Sequence, residues 1–185
     1  LKITIDTDVL GVMYSQAGTG NFGATAGVRS GSVNLGTSGT PVLLDKTNIV
    51  DYIVDMGTVL DEQDVPENGR FLVMPPWACG MIKKSDLKDA SLSGDAESTL
   101  RSGRVGMIDR FMIYKSNLLA TTLDTITVTN MIFGQKTGLT FASQLLENES
   151  LRAESTFGTL FRGLQVYGFK VIKPQAVGWF YAARA

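Results

Sequence analysis

A long glycine-rich segment, Gln16–Leu44, restricts the fold of this chain more than any other feature. Seven glycines punctuate it, and Arg29 is its only charged residue. Glycine loses more backbone entropy on folding than any other residue, which disfavours a helix or strand across the segment. Large apolar side chains are also few: Phe22, Val28, Val33 and Leu35. We therefore expect a long loop or an extended flap here, and not a packed element.

A clear helix is predicted directly after this segment. Its apolar residues recur at helical spacing and form one stripe: Ile49, Ile53, Met56 and Leu60. Asn48 is the predicted N-cap, with Asp51 in the first turn. The helix is expected to end in an acidic run that Pro66 and an Asn-Gly turn interrupt.

A short buried strand and a second helix are predicted next. Arg70–Met74 carries consecutive apolar residues, which are typical of a buried strand. We expect Phe71 and Val73 to face the stripe of the preceding helix. The two prolines that follow are typical of a helix start, and the two lysines at 83–84 suit the negative end of a helix dipole.

The rest of the chain predicts further strands. Residues 1–17 have the pattern of the last turns of a helix, and Gln144–Arg152 is mixed polar and predicts no element. Pro174 separates the last two strands, because proline is barred from central ladder positions. Helices and strands intermix without regular βαβ spacing, so the predicted fold class is α+β. Strands are predicted over the ranges 103–116, 125–133, 163–172 and 176–181.

Composition excludes several classes of protein. The 185 residues include 17 Lys and Arg and 18 Asp and Glu, so the net charge is −1 and the basic excess typical of nucleic-acid binding is missing. Because histidine is absent and Cys79 is the only cysteine, imidazole catalysis, histidine-ligated metals and zinc fingers are excluded. No apolar run has the roughly 20 residues that span a bilayer. The charged fraction of 19% is below the roughly 25% of typical domains, which favours a chain that lies inside an assembly.

Three short motifs predict little chemistry. Gly18, Gly20 and Gly23 satisfy G-x-G-x-x-G, but a phosphate-binding loop needs a strand before it and a helix after it, which this sequence does not predict. Cys79 has no histidine to activate it and is expected to be a buried, inert thiol. Asn148–Ser150 matches the glycosylation sequon, but nothing indicates a secretory route. The sequence predicts no catalytic residue, no cofactor-binding residue and no metal ligand.

The acidic run at the end of the 49–60 helix is the candidate site. Asp61, Glu62 and Asp64 lie where the helix dipole disfavours negative charge. They lack the spacing and central glycine of an EF-hand loop, so a solvated helix end is the simplest interpretation. The second interpretation is contact with a basic patch of a neighbouring subunit, for which the nearest lysines in sequence are Lys83, Lys84 and Lys88.

Two longer stretches, NGRFLVMPP at 68–76 and LRSGRVGMIDRFMIYKSN at 100–117, carry a family resemblance. Together with LTFASQ at 139–144 and the sequence from Phe157 to Pro174, they resemble major capsid proteins of tailed bacteriophages. In that family a strand ending in proline precedes a helix, a G-x-[IV]-x-G-x-[IV]-x-G-F hairpin and a Y-x-S-N strand end. Arg110 stands where the family usually has glycine, and an arginine there disfavours a tight positive-φ turn. The similarity spans about Asn48 to Phe180.

The resemblance implies a Hong Kong 97 phage-type capsid fold, with an axial domain and part of a peripheral domain. Residues 1–17 would be the end of the spine helix and 18–44 a glycine-rich loop or flap. Residues 45–145 would form the axial domain, and 146–185 the return strands of the peripheral domain. The N-terminal arm, the extended loop and most of the spine helix would be absent from this chain.

The resemblance also implies a structural function. The chain is expected to be a major capsid subunit that self-assembles into hexamers and pentamers of an icosahedral virion around the phage genome. No enzymatic activity, cofactor, sequence-specific nucleic acid or membrane is expected; scaffolding, portal or decoration proteins are candidate partners. The alternative is another virion component, such as a tail-tube or decoration protein. In an assembly of this kind, the glycine-rich segment is expected to gain its order from neighbouring subunits.

Overall fold

A computed structural model describes residues 2–85, 106–152 and 157–185. The helices are α1 Lys2–Met13, α2 Ile49–Asp61 and α3 Pro76–Lys84. The strands are β1 Val42–Leu44, β2 Arg70–Met74, β3 Met107–Ile108, β4 Phe111–Lys115, β5 Thr121–Leu123, β6 Thr127–Gln135, β7 Leu139–Arg152, β8 Thr159–Val171 and β9 Val177–Arg184. Helices and strands mix along the described chain without regular βαβ alternation, as the sequence predicts.

Seven strands form one mixed sheet in the order β1-β9-β6-β2-β4-β3, with β5 also paired to β6. The pairs β1/β9 and β2/β4 are parallel, and the other pairs are antiparallel. The last strand of the chain, β9, therefore lies between β1 and β6 inside this sheet. Strands β7 and β8 pair only with each other, in a long antiparallel unit that we call the ribbon.

One face of the large sheet packs against α2 and α3. The predicted stripe of α2 is confirmed, because all four of its residues are fully buried: Ile49, Ile53, Met56 and Leu60. They share the main core with Leu72 and Met74 of β2. Phe71 and Val73 belong instead to a second cluster on the opposite face. The expectation that the stripe faces these two residues is wrong, because alternate side chains of a strand point to opposite faces and the register here favours the even-numbered ones.

Asp45 closes the turn before α2. Asn48 occupies the predicted N-cap position, but its side chain makes no capping bond; its Oδ1 accepts the backbone N–H of Asp45 at 2.9 Å. The Asp45 carboxylate in turn accepts the N–H groups of Thr47 and Asn48 at 2.7 and 2.9 Å. These bonds, led by one from the Thr47 hydroxyl, lower the pKa of Asp45. The helix start is thus fixed by the turn that precedes it.

The glycine-rich segment is a long loop up to β1, as one of the two predicted alternatives has it, but the expectation that it is not packed is wrong. Ala26 and Leu35 are fully buried in the main core, and Val42 and Leu44 join the large sheet as β1. Asn21 is also buried, and its Nδ2 donates to two backbone carbonyls just before and within β9, at 2.6 and 3.1 Å. The segment is therefore ordered by its own chain through backbone and amide hydrogen bonds, which its low hydrophobicity does not reveal.

Glycine at position 36 explains how this segment approaches β9 so closely. Gly36 has φ +81°, and a Cβ there would collide with the backbone carbonyl of Tyr181. The Tyr181 N–H donates to the carbonyl of Leu35 at 2.8 Å. Because glycine has no Cβ, the backbone at position 36 can lie directly against the backbone of β9.

The later strands differ from the sequence prediction in position or in length. Strand β6 is shifted by two residues from the predicted 125–133, β7 covers the whole of 144–152, and β8 begins before Gly163. Paired residues in the ribbon run from Leu139↔Val171 to Arg152↔Thr159, with one bulge near Leu145. Because ribbon pairing needs no buried face, polar sequence does not prevent it. The domain boundary expected at 145/146 falls inside β7, and β9 returns to the large sheet.

Helix α1 confirms the helix predicted at the start of the chain and lies over the base of the ribbon. Met13 is buried, and Ile5, Val9 and Leu10 are half-buried. The hydroxyl of Tyr167 in β8 hydrogen-bonds to Asp8, which raises the pKa of that tyrosine. Among the described residues, no helix combines the length and the apolar character that crossing a bilayer requires.

Candidate subunit interface

The acidic run at the end of α2 is paired within its own chain. Asp61 is the last residue of the helix, and its carboxylate bonds to Arg70 at 2.5 Å and to Arg110 at 2.9 Å. Partial burial raises the pKa of Asp61, but the hydrogen bonds and charges of the two arginines outweigh it and hold the pKa below its usual value. The charge that the helix dipole disfavours is therefore offset by two guanidinium groups.

Arg70 is the largest of the fully buried side chains. It begins β2 and points toward α2, on the same face as Leu72. Its guanidinium donates to the carbonyls of Val65, Pro66 and Gly57 at 2.6, 3.2 and 3.3 Å, besides its bond to Asp61. Asp61, Val65 and Pro66 lie at or after the end of α2, where carbonyls lack helical partners, and Gly57 lies one turn before that end. Arg70 thus joins the helix end to the first central strand.

Arg110 closes the β3–β4 hairpin in a tight turn, so the expectation that an arginine disfavours this turn is wrong. Asp109 and Arg110 both have positive φ, at 42° and 65°. Arg110 bonds to Glu67 at 2.7 Å as well as to Asp61, and the bond to Asp61 is the main cause that raises the pKa of Arg110. The backbone cost of a left-handed residue is therefore offset by fixed ion pairs.

The Asp109 side chain explains why α2 carries a glycine opposite this turn. Its Oδ2 is buried and accepts no hydrogen bond from the described residues, and a Cβ at Gly57 would collide with it. Because Gly57 has no side chain, α2 leaves space for the Asp109 carboxylate of the β3–β4 hairpin. The preceding part of the hairpin motif, residues 100–105, lies outside the described residues.

The other two acidic residues hold the glycine-rich segment. Glu62 accepts the N–H groups of Arg29 and Ser30 at 2.8 and 3.2 Å, which lowers its pKa, with the bond from Arg29 the largest cause. Asp64 has φ +55° and lies 3.9 Å from the Arg29 guanidinium at the surface. Turns of the glycine-rich segment are thus tied to the end of α2.

The predicted pairing of this run with lysines therefore has a competitor in the same chain. The ion pairs of Asp61 and Asp64 are made with arginines. Lys83 and Lys84 lie at the end of α3, as predicted, and Lys88 lies outside the described residues. The sequence did not reveal the arginine partners, because Arg29 and Arg110 are distant along the chain and Arg70 lies in a predicted buried strand. The one available clue was a charged residue, Arg70, at the head of an apolar strand.

The described residues do not assemble a metal site. They contain no group of three or more His, Cys, Asp or Glu side chains placed to hold a metal. Cys79 is buried, and desolvation raises the pKa of its thiol. In the G-x-G-x-x-G motif, the Gly18 N–H donates to the Pro174 carbonyl at 2.8 Å, so that amide is already occupied within the chain.

The ribbon presents apolar side chains to solvent and is the surface that the sequence missed. At its far half, six large residues are at least half exposed: Leu145, Leu146, Leu160, Phe161, Leu164 and Val166. They alternate with charged residues, including the pair Glu149–Arg162 at 2.6 Å. Single exposed leucines are ordinary, but so many exposed large apolar residues on one two-stranded unit favour an interaction surface.

Ribbon pairing places these apolar residues on both faces. Phe161 lies on the same face as Phe141 and Tyr167, whose rings stack at 6.4 Å near α1. Leu160 and Leu164 lie on the other face. Among the described residues, cover is limited to the base of the ribbon, where α1 and the second apolar cluster lie. Two-residue periodicity from Leu139 to Leu145 is the signal that could have predicted β7.

Comparisons with known proteins agree with one another. Residues 1–180 match the family model described as phage capsid protein. A structure from Mycobacterium phage Che8 is 30% identical over 78% of this chain and 53% of its own length, with a TM-score of 0.64. The capsid structure of cyanophage P-SCSP1u is 16% identical over 99% of this chain and 62% of its own, with a TM-score of 0.67.

A third structure has the same fold, and no curated protein matches. The mature capsid of bacteriophage PhiM1 is 15% identical over 99% of this chain and 61% of its own, with a TM-score of 0.65. A search of curated protein sequences finds no match. The chain thus spans between half and two thirds of the length of the three structures.

Proposed function

This chain belongs to the phage capsid protein family, and on that basis we propose that it is a structural subunit of a virion shell. The observation that carries the proposal is the family match over residues 1–180, nearly the whole chain. Copies would assemble into the hexamers and pentamers of an icosahedral capsid that encloses the phage genome. Closed rings of identical chains need a contact surface that meets a different surface on the next copy.

We propose the Hong Kong 97 type for the fold, with domain limits that differ from the sequence prediction. The large sheet with α2 and α3, including β9, would be the axial domain. Helix α1 and the ribbon would belong to the peripheral domain, with α1 as the end of the spine helix. The contact of Asp8 with Tyr167 and the position of β9 between β1 and β6 support this division.

The exposed half of the ribbon would be a contact between shell subunits. A two-stranded unit is marginal in water without a packed face, and this one leaves Phe161 82% exposed. Cover from another copy would bury such side chains. Pairing of Asp61, Glu62 and Asp64 with Lys83, Lys84 and Lys88 of a neighbour remains a second proposal, weaker because arginines of the same chain already bind two of the three carboxylates.

No enzymatic activity or cofactor belongs to the proposal. Partners other than further copies of the chain would be scaffolding, portal or decoration proteins. Sequence-specific nucleic-acid recognition is not part of it, since the net charge is −1. The shell would enclose the genome without recognising its base sequence.

Electron microscopy of the purified protein in its natural length tests the proposal. Closed icosahedral particles, or free hexamers and pentamers, are the expected result. Helical tubes would indicate a tail-tube protein, and isolated trimers that bind preformed shells would indicate a decoration protein. Either of those outcomes contradicts the shell assignment.

A pair of matched variants tests the ribbon contact. Phe161 and Leu123 have the same exposed fraction, 82%, but Leu123 lies on β5 of the large sheet. We expect Phe161→Asp to reduce particle yield strongly while Leu123→Asp assembles nearly as the parent does. Circular dichroism should show both variants folded. Equal particle yields for the two variants would contradict a ribbon contact.

A further inference from the structure

An Asn-Gly pair lies in the turn between α2 and β2. Asn68–Gly69 is the only such dipeptide in the sequence. Both residues are exposed, and Gly69 has φ +77°. Within the described part of the chain, the side-chain amide of Asn68 makes no hydrogen bond, whereas Asn21, Asn48 and Asn130 hold theirs in bonds to the backbone.

We propose that Asn68 is a site of spontaneous deamidation in the folded protein. The backbone nitrogen of Gly69 attacks Cγ of Asn68 and gives up its proton, the new C–N bond closes a succinimide, and Nδ2 leaves as ammonia. Water then opens the ring. Cleavage of the bond between Gly69 N and Cγ gives aspartate, and cleavage at the α-carbonyl gives isoaspartate, in which the backbone runs through Cβ.

The residue after the asparagine decides how readily this attack occurs. Glycine has no Cβ, so its nitrogen is the least hindered of all residues and its backbone reaches the widest range of conformations. The other exposed asparagines of the described chain are followed by larger residues: Asn34 by Leu35, Asn117 by Leu118 and Asn148 by Glu149. Chemistry therefore singles out position 68.

The modification would change the region that Arg70 and Arg110 organise. The backbone carbonyl of Asn68 accepts a hydrogen bond from Nε2 of Gln135 at 2.9 Å, and the carbonyl of Gly69 accepts one from the backbone N–H of Lys136 at 3.2 Å. An isoaspartate lengthens the main chain at this point and displaces those acceptors. Either product also adds a negative charge beside Glu67. This inference concerns chemical ageing of the chain and does not depend on the proposed shell function.

Peptide mapping of the intact folded protein tests it. The protein is incubated at 37 °C in mildly alkaline and in mildly acidic buffer, digested at intervals, and each asparagine is followed by tandem mass spectrometry. Isoaspartate is separated from aspartate by elution. We expect Asn68 to convert first, faster in alkaline buffer because attack needs the deprotonated amide, with isoaspartate among the products.

A Gly69→Asn variant is the matched control, since asparagine tolerates a left-handed turn and the nearest atom to a Cβ at this position is 3.6 Å away. Its conversion at position 68 should be roughly tenfold slower or more, because the new Cβ hinders the attack. If that variant fails to fold, Asn117 and Asn148 of the parent chain serve as internal controls. Conversion of either at the rate of Asn68 overturns the proposal. So does an Asn68 that stays intact in the folded protein but converts in urea.

Discussion

Strands β6 and β7 are consecutive in the chain and separated by a single short turn, yet their surroundings are opposite. Every residue of β6 from Val128 to Gln135 is buried, whereas almost every residue of β7 is exposed. Both strands contain large apolar residues. Strand β6 has hydrogen-bonded neighbours on both sides, while β7 has only β8.

The comparison shows that burial here is set by the number of neighbours and not by hydrophobicity. The large sheet forms its core within one chain, through α2, α3 and the packed glycine-rich segment. The ribbon has one layer, and the described residues cover it only at its base, through α1 and the second apolar cluster. The described residues leave its leucines and phenylalanine exposed, so we expect stability to depend on the sheet and assembly on the ribbon.

Replacing a phenylalanine by alanine should give the largest difference between the sheet and the ribbon in the free energy of unfolding. Phe133 of β6 is fully buried against the edge of Phe111 and the backbone at Gly178. Phe133→Ala should lower the free energy of unfolding by about 3–5 kcal/mol, through lost burial and the cavity left behind. Phe161→Ala on the ribbon should change it by less than about 0.5 kcal/mol. Urea unfolding followed by the fluorescence of Trp77 and Trp179 measures both.

Similar losses in the two variants would break the comparison. That result would mean that the ribbon is packed in the isolated chain, against a surface other than the base that α1 covers. The m-value is the control, because an unchanged m-value indicates that a shift in midpoint reflects stability alone.

Arginine removal should give the next largest difference. Arg70→Met leaves buried carbonyls without donors while keeping an apolar side chain of similar length. We expect a loss of about 2–4 kcal/mol, since an unsatisfied buried group costs about 1–3 kcal/mol. Arg162→Met breaks the exposed pair with Glu149 and should cost no more than about 1 kcal/mol. Thermal or urea unfolding decides between them, and an Arg70 variant as stable as the Arg162 variant would contradict a central role for the buried guanidinium.

The periodicity of apolar residues predicted the elements that pack within the core of the chain. The stripe of α2, the short strand β2 and the proline-started α3 are correct because each has a local pattern that matches one packed face. The buried face of β2 was predicted wrongly. In a strand of five mostly apolar residues, the sequence does not reveal whether the odd- or the even-numbered side chains face the helix. Arg70 shares that buried face with Leu72 and Met74, and its role depends on acceptors supplied by the end of α2.

Two regions could not be predicted from local pattern. The packing of the glycine-rich segment depends on backbone contacts with β9, more than a hundred residues later in the chain, and glycines give no apolar signal for it. The polar half of β7 is a strand only because β8 pairs with it. For the candidate site, the sequence located the acidic run but not its arginine partners, and it predicted much of β8 as a strand but not the exposed ribbon that β8 forms with β7.

Replacing a glycine by alanine should also affect the sheet and the ribbon differently, with smaller changes in the free energy of unfolding. A Cβ at Gly178 in β9 would collide with the ring of Phe133, whereas one at Gly168 in β8 has no atom within 4 Å. Gly178→Ala should destabilise the protein by about 1–3 kcal/mol through overpacking. Gly168→Ala should be neutral or stabilise by up to about 1 kcal/mol, because alanine restricts the unfolded chain. Destabilisation by both would show that the ribbon, too, has a closely packed neighbour at that position.

Acid should produce the smallest difference, and it should arise in the sheet region. Because the folded pKa of Asp61 lies below its ordinary value, its ionised form stabilises the folded state above the unfolded pKa of about 3.9. That contribution is lost as the pH falls through the folded pKa. Asp61 is 41% exposed, so solvent screening should limit the effect to about 1 kcal/mol or less. Asp61→Asn should therefore flatten the fall in stability below pH 4 relative to the parent protein. Urea midpoints measured across this range test this prediction, and an Asp61→Asn profile with the parental slope would mean that the two arginines do not stabilise its charge.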